Sequence, residues 1–109
     1  MTAHATSNRP VVWITGASSG IGKAFAQQYA KEGAHLILSS RRADELEKLK
    51  SDLASDSSGD ILVLPLDLSS GDASLQKKTE EAWAWKNKID VLVNNGGISQ
   101  RSLFLETDM

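Results

Sequence analysis

A glycine-rich stretch at residues 15–22 constrains this chain more than any other feature of its sequence. The stretch follows an apolar run at residues 11–14 and opens a segment with helical periodicity, so it joins a buried strand to a helix. Glycine lacks a Cβ, which allows backbone N–H groups to approach a diphosphate, and the N-terminus of a helix favours negative charge. The stretch therefore predicts a phosphate-binding loop. The alternative is an ordinary loop that contains three glycines by chance.

Each position in this loop has an expected role. Gly16 makes the turn out of the strand, Gly20 lets the backbone close on a cofactor, and Gly22 lets the helix pack tightly against the strand. Ser18 and Ser19 add hydroxyl donors. We therefore expect the cofactor-binding residues of the loop to be Gly16, Ser18, Ser19, Gly20, Ile21 and Gly22.

Apolar runs alternate with helical segments along the rest of the chain. The sequence predicts strands at residues 11–15, 35–40, 61–66 and 89–93, and helices at residues 21–32, 44–54 and 73–86. This alternation predicts an α/β fold, a Rossmann-like parallel sheet of about four strands in the order 3-2-1-4, incomplete, with helices on both faces. Ligands of such sheets bind at the carboxyl ends of the strands. We expect residues 1–9 to form a flexible tail and residues 10–109 a partial NAD(P)-binding domain.

Two of the predicted helices carry apolar stripes at three- and four-residue steps. The stripe of the second helix consists of Leu46, Leu49 and Leu53, with charged residues outside it. Gly33 is expected to end the first helix. The stripe of that first helix consists of Ile21, Ala24, Phe25, Gln28 and Tyr29.

The residues after the second strand indicate which dinucleotide is preferred. Folds that prefer NAD often carry an acidic residue there, to hold the ribose 2′-hydroxyl. This chain has Ser40, Arg41 and Arg42 instead, and a guanidinium group holds a 2′-phosphate through charge-assisted hydrogen bonds. The sequence therefore predicts NADP (NADPH) over NAD, bound by these three residues. The alternative is that the two arginines only begin a solvent-exposed helix.

Several elements in this order resemble the short-chain dehydrogenase/reductase family. The glycine spacing is G-x-x-x-G-x-G, not the G-x-G-x-x-G of the commoner dinucleotide fingerprint. Asp67 and Leu68 match the family pair that faces the adenine, and residues 94–97 match the family's Asn-Asn-Ala-Gly with one alanine replaced by glycine. The resemblance implies that Asp67, Leu68, Asn94 and Gly96 belong to the cofactor site, and that Asn94 also steadies the sheet.

The same resemblance implies an oxidoreductase that transfers hydride between a nicotinamide and a carbonyl or alcohol. In the family, the tyrosine of a Tyr-x-x-x-Lys pair handles the proton. The only tyrosine here, Tyr29, is followed four residues later by Gly33, so no catalytic residue is assigned. We expect an amino-terminal, cofactor-binding part that is inactive alone. A small-molecule carbonyl or alcohol substrate, and homo-oligomer formation, are expectations for the complete protein.

Two other functions remain open from the sequence. The chain is alternatively a non-catalytic nucleotide-binding module, or a short product that pairs with a full-length relative. The other alternative is that the chain is an unrelated binding protein that uses this fold for interaction only, because fold alone does not determine function.

Composition and charge exclude several other classes. A net charge of −2 offers no electrostatic footprint for nucleic acid. The chain has no cysteine, and His4 and His35 are too isolated to predict a metal site. No stretch has the length and apolarity of a signal peptide or membrane span, which leaves a cytoplasmic location as the default expectation.

A closer resemblance points to a different location. Residues 12–15, 62–68 and 94–102 look like the subgroup that contains dehydrogenase/reductase member seven. Members of that subgroup include membrane-associated reductases of the endoplasmic reticulum that act on carbonyls of steroid- or retinoid-like compounds. The resemblance therefore implies an endoplasmic-reticulum membrane as the alternative location.

Overall fold

In the computed structural model, four strands form one parallel sheet in the order β3-β2-β1-β4. The structure describes residues 9–67 and 72–95. The elements in chain order are β1 (Val11–Thr15), α1 (Gly20–Lys31), β2 (His35–Ser39), α2 (Ala43–Leu53), β3 (Ile61–Val63), α3 (Asp72–Lys86) and β4 (Val91–Asn94). The predicted α/β class and strand order are confirmed, and the predicted ends of the elements differ from the observed ones by a few residues.

The central strand β1 is buried on both faces of the sheet. Val12 and Ile14 belong to an apolar cluster with residues of α1 and α2, while Val11 and Trp13 face the opposite side and pack with residues of α3. Successive side chains of a strand point to opposite faces, so a strand covered on both sides needs apolar residues at every position. The continuous apolar run in the sequence therefore marks the centre of the sheet.

The face that α1 buries differs from the predicted stripe. Gly22, Ala26 and Ala30 are buried, at four-residue steps, whereas Ile21 is 66% exposed and Phe25 is 42% exposed. Small residues on the inner face let a helix approach the sheet closely, and that close approach leaves no room there for Ile or Phe. The stripe correctly indicated a helix, and Tyr29 packs against the buried cluster. The stripe was wrong about its other members, Ile21, Ala24, Phe25 and Gln28, which are exposed. In α2, by contrast, the predicted leucine stripe is buried.

The third strand ends two residues before Pro65 and is shorter than predicted. The sequence predicts residues 61–66, whereas β3 ends at Val63. Proline has no N–H to donate to the ladder. The N–H groups of Leu64 and Leu66 nevertheless donate to carbonyl groups of the neighbouring segment at 2.9 Å. The chain therefore runs beside β2 as far as the edge where Asp67 lies.

Two residues near the start of the sheet have specific backbone or side-chain contacts. Gly33 ends α1 with a φ of 86°, a conformation that glycine adopts without a steric cost. Arg9 was expected at the end of a loose tail, but its Nη1 donates to the carbonyl of Gly33 at 2.7 Å and to Oγ of Ser58 at 2.8 Å. Arg9 is therefore anchored to the fold. The rest of the predicted tail, residues 1–8, lies outside the described residues.

Candidate functional site

The last residues of three neighbouring strands lie in register at the carboxyl edge of the sheet. Thr15 of β1 pairs with Ser39 of β2 on one side and with Asn94 of β4 on the other. The segments that follow these strands therefore leave the sheet at one edge. The glycine loop, the segment from Ser40 to Arg42, and Asn94 therefore lie next to one another, as the topology predicts.

The turn from β1 into α1 depends on glycine at two positions. Gly16 has a φ of 65°, in the left-handed region that favours glycine. At Gly22, a Cβ would lie 2.1 Å from the carbonyl oxygen of Gly16, far closer than van der Waals contact allows. The first turn of α1 therefore packs directly on the glycine loop, and only glycine at position 22 permits this.

Gly20 differs from these two glycines because no atom of the described residues constrains it. A Cβ at Gly20 would meet nothing within 4 Å in residues 9–67 and 72–95. The residue is exposed at the first position of α1, and no folding requirement explains a glycine there. A site that a Cβ would fill fits a group that must approach the backbone closely.

Ser19 caps α1 and is held by a network inside the loop. Its Oγ accepts from the N–H of Gly22 at 3.4 Å and from Nδ2 of Asn95 at 2.7 Å, and it donates to the carbonyl of Gly16 at 2.9 Å. The same Nδ2 also donates to the carbonyl of Gly16 at 3.2 Å. The hydroxyl of Ser19, expected as a donor to a ligand, is thus engaged within the loop. Asn95 was not among the predicted site residues.

Two backbone N–H groups at the start of α1 have no acceptor within the described part of the chain. The first intrahelical bond runs from the N–H of Lys23 to the carbonyl of Ser19, and the N–H of Gly22 uses the Ser19 cap. The N–H groups of Gly20 and Ile21 form no hydrogen bond with residues 9–67 or 72–95. They lie at the positive end of the helix dipole, where an anion is stabilised.

The two predicted arginines differ in their surroundings. Arg42 Nη1 lies 3.4 Å from a carboxylate oxygen of Glu45, and its backbone N–H donates to Oγ of Ser40 at 3.1 Å. Arg41 forms no ion pair with any other residue that the structure describes. Arg41 instead lines a cavity of about 280 Å³ together with Asp67. Arg41 is therefore the arginine whose guanidinium is available to a ligand.

The remaining predicted site residues are placed as follows. Asn94 is half-buried, and Thr15 Oγ1 donates to its Oδ1 at 3.1 Å, a contact that ties β1 to β4. Ser18 is half-buried in the glycine loop. Leu68 and Gly96 lie outside the described residues. The contacts of Asn95 were not predictable from motifs, because they depend on how β4 sits beside the loop.

The groups with displaced pKa values lie at the opposite, amino edge of the sheet. Burial, and then Lys86, lowers the pKa of His35, the first residue of β2. A hydrogen bond from Lys86 lowers the pKa of Asp60, and a hydrogen bond from the N–H of Val11 lowers the pKa of Asp90. Both aspartates directly precede strands. The three side chains fix the first residues of the strands, and none of them belongs to the site around the glycine loop.

Two features are absent from the described part of the chain. Across residues 9–67 and 72–95, no three His, Asp or Glu side chains come together as metal ligands would. In the same ranges, no helix combines the length and the apolarity that crossing a bilayer requires.

Comparison with known proteins supplies independent findings. The sequence model of the family described as short chain dehydrogenase matches residues 10–109. Dehydrogenase/reductase SDR family member 7 of Mus musculus is 52% identical over 102 residues, which cover 91% of this chain and 30% of that protein. The 11-beta-hydroxysteroid dehydrogenase-like 3 of Arabidopsis thaliana is 43% identical over 96 residues, 88% of this chain and 31% of that protein. The chain thus spans about three tenths of the length of these relatives.

A solved structure agrees with this family match. The L-sorbose reductase from Gluconobacter frateurii, complexed with NADPH and L-sorbose, superimposes with a TM-score of 0.73 at 35% identity. The match covers 82% of this chain and 34% of the reductase. The fold seen here is therefore that of the reductase's matching region.

Proposed function

Because this chain belongs to the short chain dehydrogenase family, we propose that it is the amino-terminal, NADP-binding part of an oxidoreductase. Residues 10–109 form a partial NAD(P)-binding domain in this proposal. The complete enzyme transfers hydride between a nicotinamide and a carbonyl or alcohol substrate. The observation that supports this best is the start of α1. There the N–H groups of Gly20 and Ile21 have no acceptor in the described chain, and a Cβ at Gly20 would meet none of its atoms within 4 Å.

The glycine loop fits the diphosphate of a dinucleotide. Orphan N–H groups and the helix dipole both favour an anion, and the absence of a side chain at Gly20 lets that anion reach the backbone. Asn95 and the cap of Ser19 hold the loop in place without a ligand. A loop that is already ordered loses less conformational entropy when it binds.

The preference for NADP over NAD depends on the segment after β2. No carboxylate occurs among residues 39–42 to repel a 2′-phosphate, and the guanidinium of Arg41 has no ion-pair partner in residues 9–67 or 72–95. The related L-sorbose reductase was solved with NADPH. Both observations support NADP as the cofactor, with NAD as the alternative.

The remaining proposed contacts follow from the strand ends. We propose that the cofactor-binding residues are Gly16, Ser18, Ser19, Gly20, Ile21, Gly22, Ser40, Arg41, Arg42, Asp67, Leu68, Asn94 and Gly96. Ser19 and Arg42 contribute to the cofactor site mainly by positioning the backbone around them, because their side chains already have partners within the chain. NADPH, when bound, supplies the hydride, and the residues of this chain bind and orient its adenosine-diphosphate end. No residue of this chain is proposed as catalytic, so the chain alone is expected to be inactive.

The substrate is proposed only as a class. The names of the relatives include a hydroxysteroid dehydrogenase-like protein, which favours a carbonyl or alcohol on an apolar skeleton. The residues that would contact it belong to the longer span of those relatives, of which this chain matches about three tenths. A location at the endoplasmic reticulum or in the cytoplasm, and homo-oligomer formation, are equally proposals for the complete protein.

A direct titration tests this function. The purified chain is titrated with NADPH while tryptophan quenching and nicotinamide fluorescence are recorded, and circular dichroism verifies that the chain is folded. We expect saturable binding at one site per chain. A folded chain that binds no dinucleotide would contradict the proposal and favour use of this fold for interaction only.

A further inference from the structure

A second positively charged side chain, which belongs to a different element, lines the cavity beside Arg41. Its lining consists of Arg41, Pro65, Leu66, Asp67, Ser74 and Lys78. Arg41 lies two residues after the end of β2. Ser74 and Lys78 belong to α3 and lie one helical turn apart. The cavity is thus formed where three segments meet at the carboxyl edge of the sheet.

The packing of α3 explains why Lys78 faces this cavity and Lys77 does not. Leu75, Thr79 and Ala82 are buried, so they form the side of α3 that faces the sheet. Lys78 is half-buried beside this face, while Lys77 is exposed and lines a separate depression on the outer surface of the helix. A lysine at the edge of a buried face rests its aliphatic stem on the protein and presents its ammonium group to the adjacent space.

The charges of the cavity favour an anion. Arg41 and Lys78 contribute two positive charges and Asp67 one negative charge. Among residues 9–67 and 72–95, Lys78 forms no ion pair, so its charge is not already neutralised there. Pro65 and Leu66 add an apolar wall. A volume of about 280 Å³ is smaller than the roughly 300–1,000 Å³ of a complete small-molecule site. The cavity therefore suits one end of a larger ligand.

We propose that Lys78 is a specificity-determining residue that binds the 2′-phosphate of NADPH together with Arg41. This inference rests on the proposed function, and it adds a second cation from α3 to the arginine after β2. Two cations on separate elements recognise a phosphate from two directions, whereas a 2′-hydroxyl leaves both without an anionic partner. The preference for NADPH is therefore divided between Arg41 and Lys78.

The test compares two neighbouring lysines in the full chain. Dissociation constants for NADPH, NADH and adenosine 2′,5′-bisphosphate are measured for the unchanged chain, Lys78→Met and Lys77→Met. Methionine keeps the apolar stem that the half-buried position requires. We expect Lys78→Met to raise the dissociation constants for NADPH and for the bisphosphate about tenfold and to leave that for NADH unchanged. Lys77→Met is the matched control and leaves all three constants unchanged.

The outcomes separate this inference from the function on which it rests. Lys78→Arg keeps the cation and is expected to retain the preference for NADPH. If the unchanged chain prefers NADPH and Lys78→Met behaves like Lys77→Met, the inference is overturned while the proposed function stands. If Lys78→Met weakens NADH as much as NADPH, Lys78 does not discriminate the 2′-phosphate and the inference also fails. A folded chain that binds neither dinucleotide overturns both.

Discussion

Asn95 donates from Nδ2 to Oγ of Ser19 at 2.7 Å, and this contact joins the segment after β4 to the cap of α1. The two residues are 76 positions apart in the sequence. The same amide donates to the carbonyl of Gly16, so one side chain contacts both the turn at Gly16 and the helix cap at Ser19. The conformation of the loop therefore depends on the fourth strand as well as on the glycines themselves.

Removal of this amide is expected to loosen the loop without unfolding the sheet. Each hydrogen bond contributes about 0.5–1.5 kcal/mol to stability, and Asn95→Ala removes two of them. We expect this change to lower the free energy of unfolding by about 1–3 kcal/mol and the affinity for NADPH about fivefold or more. Urea unfolding and NADPH titration measure the two effects. In a double-mutant cycle, Ser19→Ala and Asn95→Ala are expected to be non-additive. Strict additivity would contradict the coupling described here.

Alanine at Gly20 and at Gly22 should have opposite effects. Gly22→Ala places a Cβ on the carbonyl of Gly16 and is expected to cost about 1–3 kcal/mol or more. Gly20→Ala enters open space at the start of a helix, and its stability is expected to stay within about 1 kcal/mol of the original or to rise. Its NADPH affinity is nevertheless expected to fall about tenfold or more. Thermal unfolding and titration of both variants decide this. Normal NADPH affinity in Gly20→Ala would exclude close approach of a ligand there.

Ser39 is expected to be important for stability through Trp13. Trp13 Nε1 donates to Oγ of Ser39 at 2.8 Å, and both residues are almost completely buried. Ser39→Ala leaves the indole N–H without this acceptor, and we expect a loss of about 1–3 kcal/mol in unfolding free energy. Urea unfolding followed by circular dichroism measures it. The exposed control Ser51→Ala should stay within about 0.5 kcal/mol. Equal effects of the two changes would show that the bond is unimportant.

Acidification is expected to destabilise the fold through His35. Its Nδ1 accepts from the N–H of Asp60 at 2.9 Å, which requires an unprotonated nitrogen. Burial lowers the pKa of His35 in the folded chain, so the unfolded chain binds more protons between the two pKa values. This contribution is complete above the unfolded pKa of 6.5 and is lost as the pH falls from there through the lower folded pKa. The charged residues that face this imidazole are Lys86, Asp60, Arg9 and Lys88.

His35→Asn separates this effect from general acid denaturation. Asparagine still offers an oxygen acceptor to the N–H of Asp60, but it does not titrate. Urea unfolding between pH 7.5 and 5 is expected to show a smaller loss of stability in the variant than in the original chain. Trp85, whose ring centroid lies 6.1 Å from that of His35, reports the local change by fluorescence. Identical pH profiles would exclude His35 as the titrating group.

The sequence was sufficient for the architecture because the architecture depends on local patterns. Every residue of β1 is buried, and a continuous apolar run is the pattern that such a strand requires. The sequence was less informative about α1, where hydrophobicity favoured Ile21 and Phe25 for the buried face. The observed inner face consists of glycine and alanine, because distance to the sheet rather than apolar character determines which residues fit.

The site was only partly predictable for a similar reason. Motifs after each strand indicated which segments meet, since parallel strands end at one edge. The partners within that edge depend on tertiary contacts. Arg42 pairs with Glu45 while Arg41 does not, and the contribution of Lys78 follows from the rotation of α3 about its axis. Sequence patterns treat Arg41 and Arg42, or Lys77 and Lys78, as equivalent neighbours, whereas the fold gives them different surroundings.

The ratio of the NADH and NADPH dissociation constants tests the central claim most directly, when measured for the original chain and for Arg41→Asp. We predict that the original chain binds NADPH about tenfold or more tighter than NADH. In Arg41→Asp, the new carboxylate repels the 2′-phosphate and accepts a hydrogen bond from the 2′-hydroxyl, so the ratio should fall towards or below unity. A ratio near unity in the original folded chain, unchanged by Arg41→Asp, would contradict the account.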